Sequence, residues 1–221
     1  MRGKRKCIYT STKENNDKKQ PMKETSESAS WFAMRVFMNK VWVCRDLFNI
    51  YNNVLEGLNP MTDQFPNDMQ GDVMEYYAPF YYDSYTNAKG HQVDVKKPLI
   101  PSLFFMRSSA RQAECLERNL QGRAHLYRRN TGCRPPVAIP LKQMQMFMMV
   151  TSGDQEGIEY FEDGAFDWQK GERVRVIDGR FKGLEGEIKR IRGDHRLVVT
   201  VEGVCAVATT YIPRCFLEKL D

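Results

Sequence analysis

Three histidines and six cysteines are the side chains of this sequence best suited to covalent or acid–base chemistry, and their spacing gives them none to do. His91, His125 and His195 stand far apart, with no serine or cysteine motif beside any of them. The nearest approach to a nucleophile with a base is Cys115 and His125, and a thiol enzyme built on them would need an accessible thiol of lowered pKa. No phosphate-cradling glycine loop, G-x-S-x-G elbow or H-E-x-x-H helix is present. Cys7, Cys44, Cys115, Cys133, Cys205 and Cys215 contain no C-x-x-C pair and have no histidine cluster near them, so no zinc or other metal site and no cofactor is expected. Scattered single cysteines point to a reducing, cytoplasmic setting. The chain is therefore expected not to be an enzyme.

The remaining chemistry is charge. Of 33 Lys and Arg, eight (Arg2, Lys4, Arg5, Lys6, Lys13, Lys18, Lys19 and Lys23) fall in the first 30 residues, against only four acids there. The rest of the chain is nearly neutral. A tail of this kind can touch phosphates, but its polar composition reads first as a disordered basic extension over residues 1–30. No apolar run approaches the length of a membrane span, and the N-terminus has no apolar leader core, so no membrane partner is expected.

The elements that follow have a readable order. Trp31–Phe37 is a buried strand, and residues 40–55 place Val43, Leu47, Ile50 and Val54 at helical spacing. Residues 59–72 form a loop. Val73–Tyr85, interrupted by Pro79, and His91–Lys97 form a hairpin around Asn87–Gly90. Pro98–Met106 is a buried strand entered through a Pro-bracketed bend, and Ser109–Gln121 is a helix with a Ser cap and Gly122 as its stop. Arg123–Arg129 is a strand and Pro140–Val150 a helix. Residues 151–169, with three glycines and six acids, are an acidic flexible linker. From residue 170 to 221 the pattern is five short strands, which suits a small closed barrel. Between Leu197 and Ile212 nine of sixteen residues are Val, Ile or Thr, a density that argues against a stable helix there.

The most informative stretch is Glu172–Val199. Val174 and Val176 share one face of a strand, Gly179 and Gly183 suit a turn of positive φ with Phe181 exposed between them, and Gly186 opens a strand where backbone approaches closely. With Ile188 and Ile191, this stretch resembles the KOW motif. Upstream, Trp31–Val36 resembles the opening strand of the NusG N-terminal domain. Lys97–Phe105 is similar to that domain's later Pro-containing strand, and Arg134–Pro140 before a helix to its third landmark. The family's Pro-Gly-Tyr is here Pro101-Ser102-Leu103, and the aromatic before the proline is Ile100, departures that suit a specialised paralogue.

The resemblance implies an α+β fold: a ferredoxin-like antiparallel sheet with flanking helices over residues 31–150, then an SH3-like five-stranded β-barrel, the KOW domain, over 170–221. It implies a transcription elongation or antitermination factor, monomeric, serving particular operons such as those for surface polysaccharides. The first domain would grip the clamp coiled coil of RNA polymerase through Leu99, Ile100, Pro101 and Leu103, joined by Met144, Phe147 and Met148 of the last helix. For the methionines and phenylalanine of that helix, core packing is the plainer reading. The non-template DNA strand would meet Arg35, Lys40, Arg45, Arg123, Arg128 and Arg129, each of which could equally belong to a solvated basic face. The KOW domain would dock a ribosomal protein or termination factor through Phe181, Leu184 and Val204. The competing reading is a ribosome- or RNA-binding KOW protein. It calls for a basic barrel, whereas residues 170–221 hold eleven Lys and Arg against eight Asp and Glu.

Overall fold

The computed structural model describes residues 28–61, 65–129, 134–152, 157–162, 171–191 and 193–220. The expected basic tail lies almost wholly outside them. The element order is β1 (Ser30–Val36), α1 (Val41–Leu55), β2 (Glu75–Tyr77), β3 (Phe80–Thr86), β4 (Gln92–Pro98), β5 (Leu103–Ser108), α2 (Ala110–Asn119) and β6 (Ala124–Leu126). There follow α3 (Leu141–Thr151), β7 (Glu159–Glu162), β8 (Glu172–Val176), β9 (Glu185–Ile191), β10 (Asp194–Val201), β11 (Cys205–Tyr211) and β12 (Leu217–Lys219). The class is α+β, as expected.

The first sheet has the order β2-β5-β1-β6, with antiparallel neighbours. Its central strands are apolar on both sides, and strand periodicity sorts their residues between two cores. Phe32, Met34 and Val36 of β1, with Phe104 and Met106 of β5, pack with α1 and α2. Trp31 and Ala33, with Leu103 and Phe105, belong to a second core with α3 and the C-terminal sheet. Strand β5 starts later than expected because Ile100 and Pro101 form a turn closed by the Leu103 N–H donating to the Ile100 carbonyl. Only Ala124–Leu126 of the expected strand 123–129 joins the sheet.

Helix α1 meets the expectation in part: Leu47 and Val54 pack half-buried against its core, but the fully buried face is shifted from them. Val41, Cys44, Phe48 and Tyr51 are its buried residues, and Ile50 is exposed. Both sets fit a helical period. The larger rings decide, because Phe48 meets Tyr76 and Phe104 edge-on at 5.3 and 6.1 Å. Helix α2 opens with a capping box: Ser109 Oγ accepts from the Gln112 N–H, and Gln112 Oε1 accepts from the Ser109 N–H.

Strands β3 and β4 pair only with each other, from Phe80↔Pro98 to Thr86↔Gln92, and the turn between them contains Asn87–Gly90 as expected. The C-terminal sheet has six strands in the order β12-β8-β9-β10-β11-β7. It is open: among the described residues no ladder joins β12 to β7, so the closed five-stranded barrel is not found. The sixth strand comes from the stretch expected to be linker. Residues Glu159–Glu162 pair along β11 from Ala208↔Glu159 to Cys205↔Glu162 and occupy its outer edge.

Candidate functional site

Helix α3 lies between the two sheets, in contact with β1 on one side and with β10 and β11 on the other. Its N-terminus follows Pro140, and Ile139 just before it bridges to Trp31. Toward the first sheet, the Phe147 ring sits 4.9 Å from Phe105 and 6.2 Å from Tyr77. Thr151 gives its hydroxyl proton to the Phe147 carbonyl at 2.8 Å, so at 2.7 Å the Tyr77 hydroxyl donates to Thr151. Toward the C-terminal sheet, Gln143 Oε1 accepts from the Glu202 N–H at 3.2 Å, and Lys142 Nζ donates to Glu185 Oε2 at 2.6 Å. A second ionic contact spans the halves where Arg35 of β1 meets Glu162 of β7 at 3.3 Å.

These contacts ring one apolar cluster that draws on both halves. Ile100, Leu103, Met144 and Phe147 are buried in it, and Leu99 and Met148 pack against it half-buried. Pro101 alone of the expected polymerase-facing set is exposed. The set is thus brought together, but as the covered seam between the first sheet, α3 and the C-terminal sheet. Phe147 faces the first sheet and is core, the plainer of its two readings.

The expected KOW contact residues are corrected. Phe181, Leu184 and Val204 are all buried: Phe181 packs under the Arg180 guanidinium, 5.2 Å from its ring, instead of standing out from the turn. The glycines behave as anticipated. Gly179 and Gly183 have φ of +80° and +88°, and a Cβ on Gly186 would fall 2.5 Å from the Val198 carbonyl oxygen. The exposed large apolar residues on this sheet are Ile177 and Tyr211. Tyr211 borders a shallow groove with Arg180, Pro213 and Phe216.

The expected nucleic-acid residues divide. Arg128 is committed internally: it donates to both oxygens of Glu117, at 2.6 and 2.9 Å, and to the carbonyl of Arg134. Burial alone would push the Glu117 carboxyl up, but Arg128, the Leu126 N–H and His125 together hold it below the ordinary value. Lys40, Arg123 and Arg129 are exposed. Arg35 points to the C-terminal sheet, and Arg45 lies on α1 over the Trp42 ring at 4.9 Å, so these two flank opposite faces of the first sheet. Sequence reasoning missed the aromatic neighbours of Arg45. Trp42 lies under its guanidinium, and contacts run on from that indole through Lys96 and Phe80 to Tyr82; the signal for the last two was the run Phe80-Tyr81-Tyr82 in a strand with no second sheet to cover it.

Cys44 and Cys115 are buried free thiols, without the accessibility and lowered pKa that a thiol nucleophile needs. Burial pushes Cys44 up to about 11 and raises Cys115. No cluster of three potential metal ligands occurs among the described residues. No helix among them is long and apolar enough to cross a membrane.

Residues 170–202 match the KOW motif family, so the C-terminal sheet carries a KOW motif. Comparison with curated proteins gives no match. Among solved structures, the chain is similar to one of Thermotoga maritima NusG described for its domain interaction, at 12% identity. That alignment covers 89% of this chain and 99% of the other, with a TM-score of 0.43. It is also similar to the MjSpt4:Spt5 complex in conformation B, at 11% identity over 86% of this chain and 97% of the other, with a TM-score of 0.22.

Proposed function

We propose that this KOW-containing chain is a NusG-type transcription elongation and antitermination factor that docks on RNA polymerase through the apolar seam around α3. The observation that carries this is the make-up of the seam. Leu99, Ile100 and Met148 lie in an apolar cluster whose outer cover is a separate sheet, and the rim of that cover is ionic, through Lys142–Glu185 and Arg35–Glu162. An apolar face must be covered by something, and a cover fastened by exposed ion pairs can be exchanged for another. A polymerase clamp helix pair is such a cover, and the flexible Met146 and Met148 side chains suit a helix laid against them. On this reading, docking requires the C-terminal sheet to withdraw. Released, that sheet offers Ile177, Tyr211 and the groove beside Phe216 to an accessory protein such as a ribosomal protein or termination factor. Service to particular operons, surface polysaccharide operons among them, is the narrower form of the same proposal.

The test is co-purification of the full-length chain with purified bacterial RNA polymerase, alone and as Ile100→Asp. The expected result is binding by the natural chain and its loss in the variant, with the variant's circular dichroism still that of a folded α+β protein. Unchanged co-purification of a folded Ile100→Asp chain overturns the proposed surface.

A further inference from the structure

The β3–β4 ribbon has two outer edges, and among the described residues no other strand pairs with either. An antiparallel ladder bonds alternate residue pairs, so the bonds at its two ends fix which backbone groups point outward. The Asn87 N–H donates to the His91 carbonyl, and the Leu99 N–H to the Pro79 carbonyl. Alternating inward from both ends, Val93, Val95 and Lys97 direct their backbone groups to β3. Gln92, Asp94 and Lys96 direct theirs away from it, as Phe80, Tyr82, Ser84 and Thr86 do on the other edge. Unpaired edges are templates for a further strand, and a second copy of the chain offers the same strand reversed.

Charge decides between the two edges. Each strand has seven residues, so pairing it with its own copy over the full length is centred on its middle residue. For β3 that residue is Asp83, and two carboxylates would stand opposite each other. For β4 it is Val95, which sets Asp94 opposite Lys96 of the second copy and Lys96 opposite Asp94 of the second copy. Both are positions whose backbone groups point outward. Sliding this register by one place sets outward groups against inward ones. Sliding it by two sets Asp94 against Asp94, or Lys96 against Lys96. Neither charge has an ion-pair partner among the described residues: Lys96 lies 3.5 Å from the Phe80 ring centre and 5.3 Å from that of Trp42, and Asp94 accepts from the Ser84 hydroxyl. Lys97, on the other face, is already paired with Asp83. A lysine on an edge strand ordinarily repels an incoming strand, and here it does so in every register but one.

We propose that β4 is a self-recognition edge, through which two copies of this chain join antiparallel across a two-fold axis at Val95. The product is one four-stranded sheet, ordered β3-β4-β4-β3. Backbone bonds and the reciprocal Asp94–Lys96 contacts hold it on one face, and the paired Val95 side chains on the other. An edge of this length buries little surface, so the dimer is weak and reversible. It departs from the monomer that the family resemblance implies. It also stands apart from polymerase docking and is tested without polymerase.

The experiment is sedimentation velocity of the full-length chain over a concentration series reaching about 1 mM, the range in which weak association shows. The natural sequence is compared with Asp94→Lys, with Lys96→Asp and with an equimolar mixture of the two variants, and circular dichroism checks that each keeps its fold. The natural chain is expected to dimerise reversibly. Each variant alone sets like charges opposite each other at both contacts and is expected to associate about tenfold more weakly. In the mixture, two lysines of one chain meet two aspartates of the other, and dimers are expected to return at the strength of the natural chain. A natural chain that stays monomeric throughout overturns the proposal. So does a mixture that fails to associate, because the register predicts its rescue. Self-association that both variants retain belongs to another surface, the exposed tyrosines of β3 among them, and overturns it equally.

Discussion

Lys142 of α3 and Glu185 of β9 are joined across the two halves at 2.6 Å, and the other oxygen of the same carboxylate takes Arg175 of β8 at 2.8 Å. One acid thus ties the helix that lies on the first sheet to two strands of the second. Because Arg175 stays when Lys142 is removed, Lys142→Ala cuts this one of the ties between the halves without stripping Glu185 of its other partner. The lysine is well exposed, and pairs of that kind contribute about 0.2–1 kcal/mol. Lys142→Ala is therefore expected to raise the open population by a few-fold at most and to leave the melting temperature of each half unchanged. Hydrogen exchange at β10 and α3, compared with that in the core of β1 and β5, measures it.

The same carboxylate makes the contact sensitive to acid. Lys142, and then Arg175, hold Glu185 below its ordinary value of 4.5. A lowered folded-state pKa means that its contribution is complete above the ordinary value and is lost as pH falls through the lower one. The radius of gyration from small-angle scattering is expected to be constant from pH 7 down to 5 and to rise below the usual carboxylate range, before the helices melt. In Glu185→Gln the rise should be smaller. A rise of equal size in the variant would assign the acid response to other groups.

Phe147 offers a different check, because its burial does not depend on the second sheet alone. With Phe105 at 4.9 Å and Tyr77 at 6.2 Å, its ring fills the space between α3 and the first sheet. Phe147→Ala is expected to cost about 3–5 kcal/mol, the usual range for emptying a buried phenylalanine site. Met148→Ala, half-buried in the same helix, is expected to cost clearly less. Urea melts of the full chain, followed by far-UV circular dichroism, separate the two. Equal costs would mean that Phe147 is not the core residue it is taken to be.

Local chemistry was legible in the sequence, and long-range cover was not. The Ser109 cap, the Asn87–Gly90 turn and the positive φ of Gly179 and Gly183 each follow from a residue type and its immediate neighbours. The two-faced burial of β1 and β5 was visible as unbroken apolar runs. The phase of α1 was partly misread because Val43, Leu47, Ile50 and Val54 fit a helix as well as Val41, Cys44, Phe48 and Tyr51 do, and only the ring of Phe104 across the gap distinguishes them. Phe181, Leu184 and Val204 were expected outside because turns are usually exposed, and no local signal says that the sheet folds over them. The edge strand β7 was hidden for a similar reason. Its sequence, Glu-Tyr-Phe-Glu within an acidic stretch, pairs because β11 has a free edge, a fact written nowhere near residue 159.

The glycines of the KOW stretch allow two physical causes to be separated by one substitution each. At Gly183 nothing lies within 4 Å of an added Cβ, but φ is +88°, so Gly183→Ala is opposed by backbone conformation alone. At Gly186 no positive φ is required, yet the added carbon would fall 2.5 Å from the Val198 carbonyl oxygen and 3.1 Å from Leu197 Cδ1, where β9 pairs with β10. Gly183→Ala is expected to cost about 1 kcal/mol, the low end of left-handed strain, and Gly183→Asn less, since asparagine tolerates that region. Gly186→Ala must displace a ladder carbonyl and is expected to cost about 1–3 kcal/mol, with no relief from asparagine. Thermal melts of the four variants decide it. If Gly186→Asn is milder than Gly186→Ala, crowding against β10 is not what holds a glycine there.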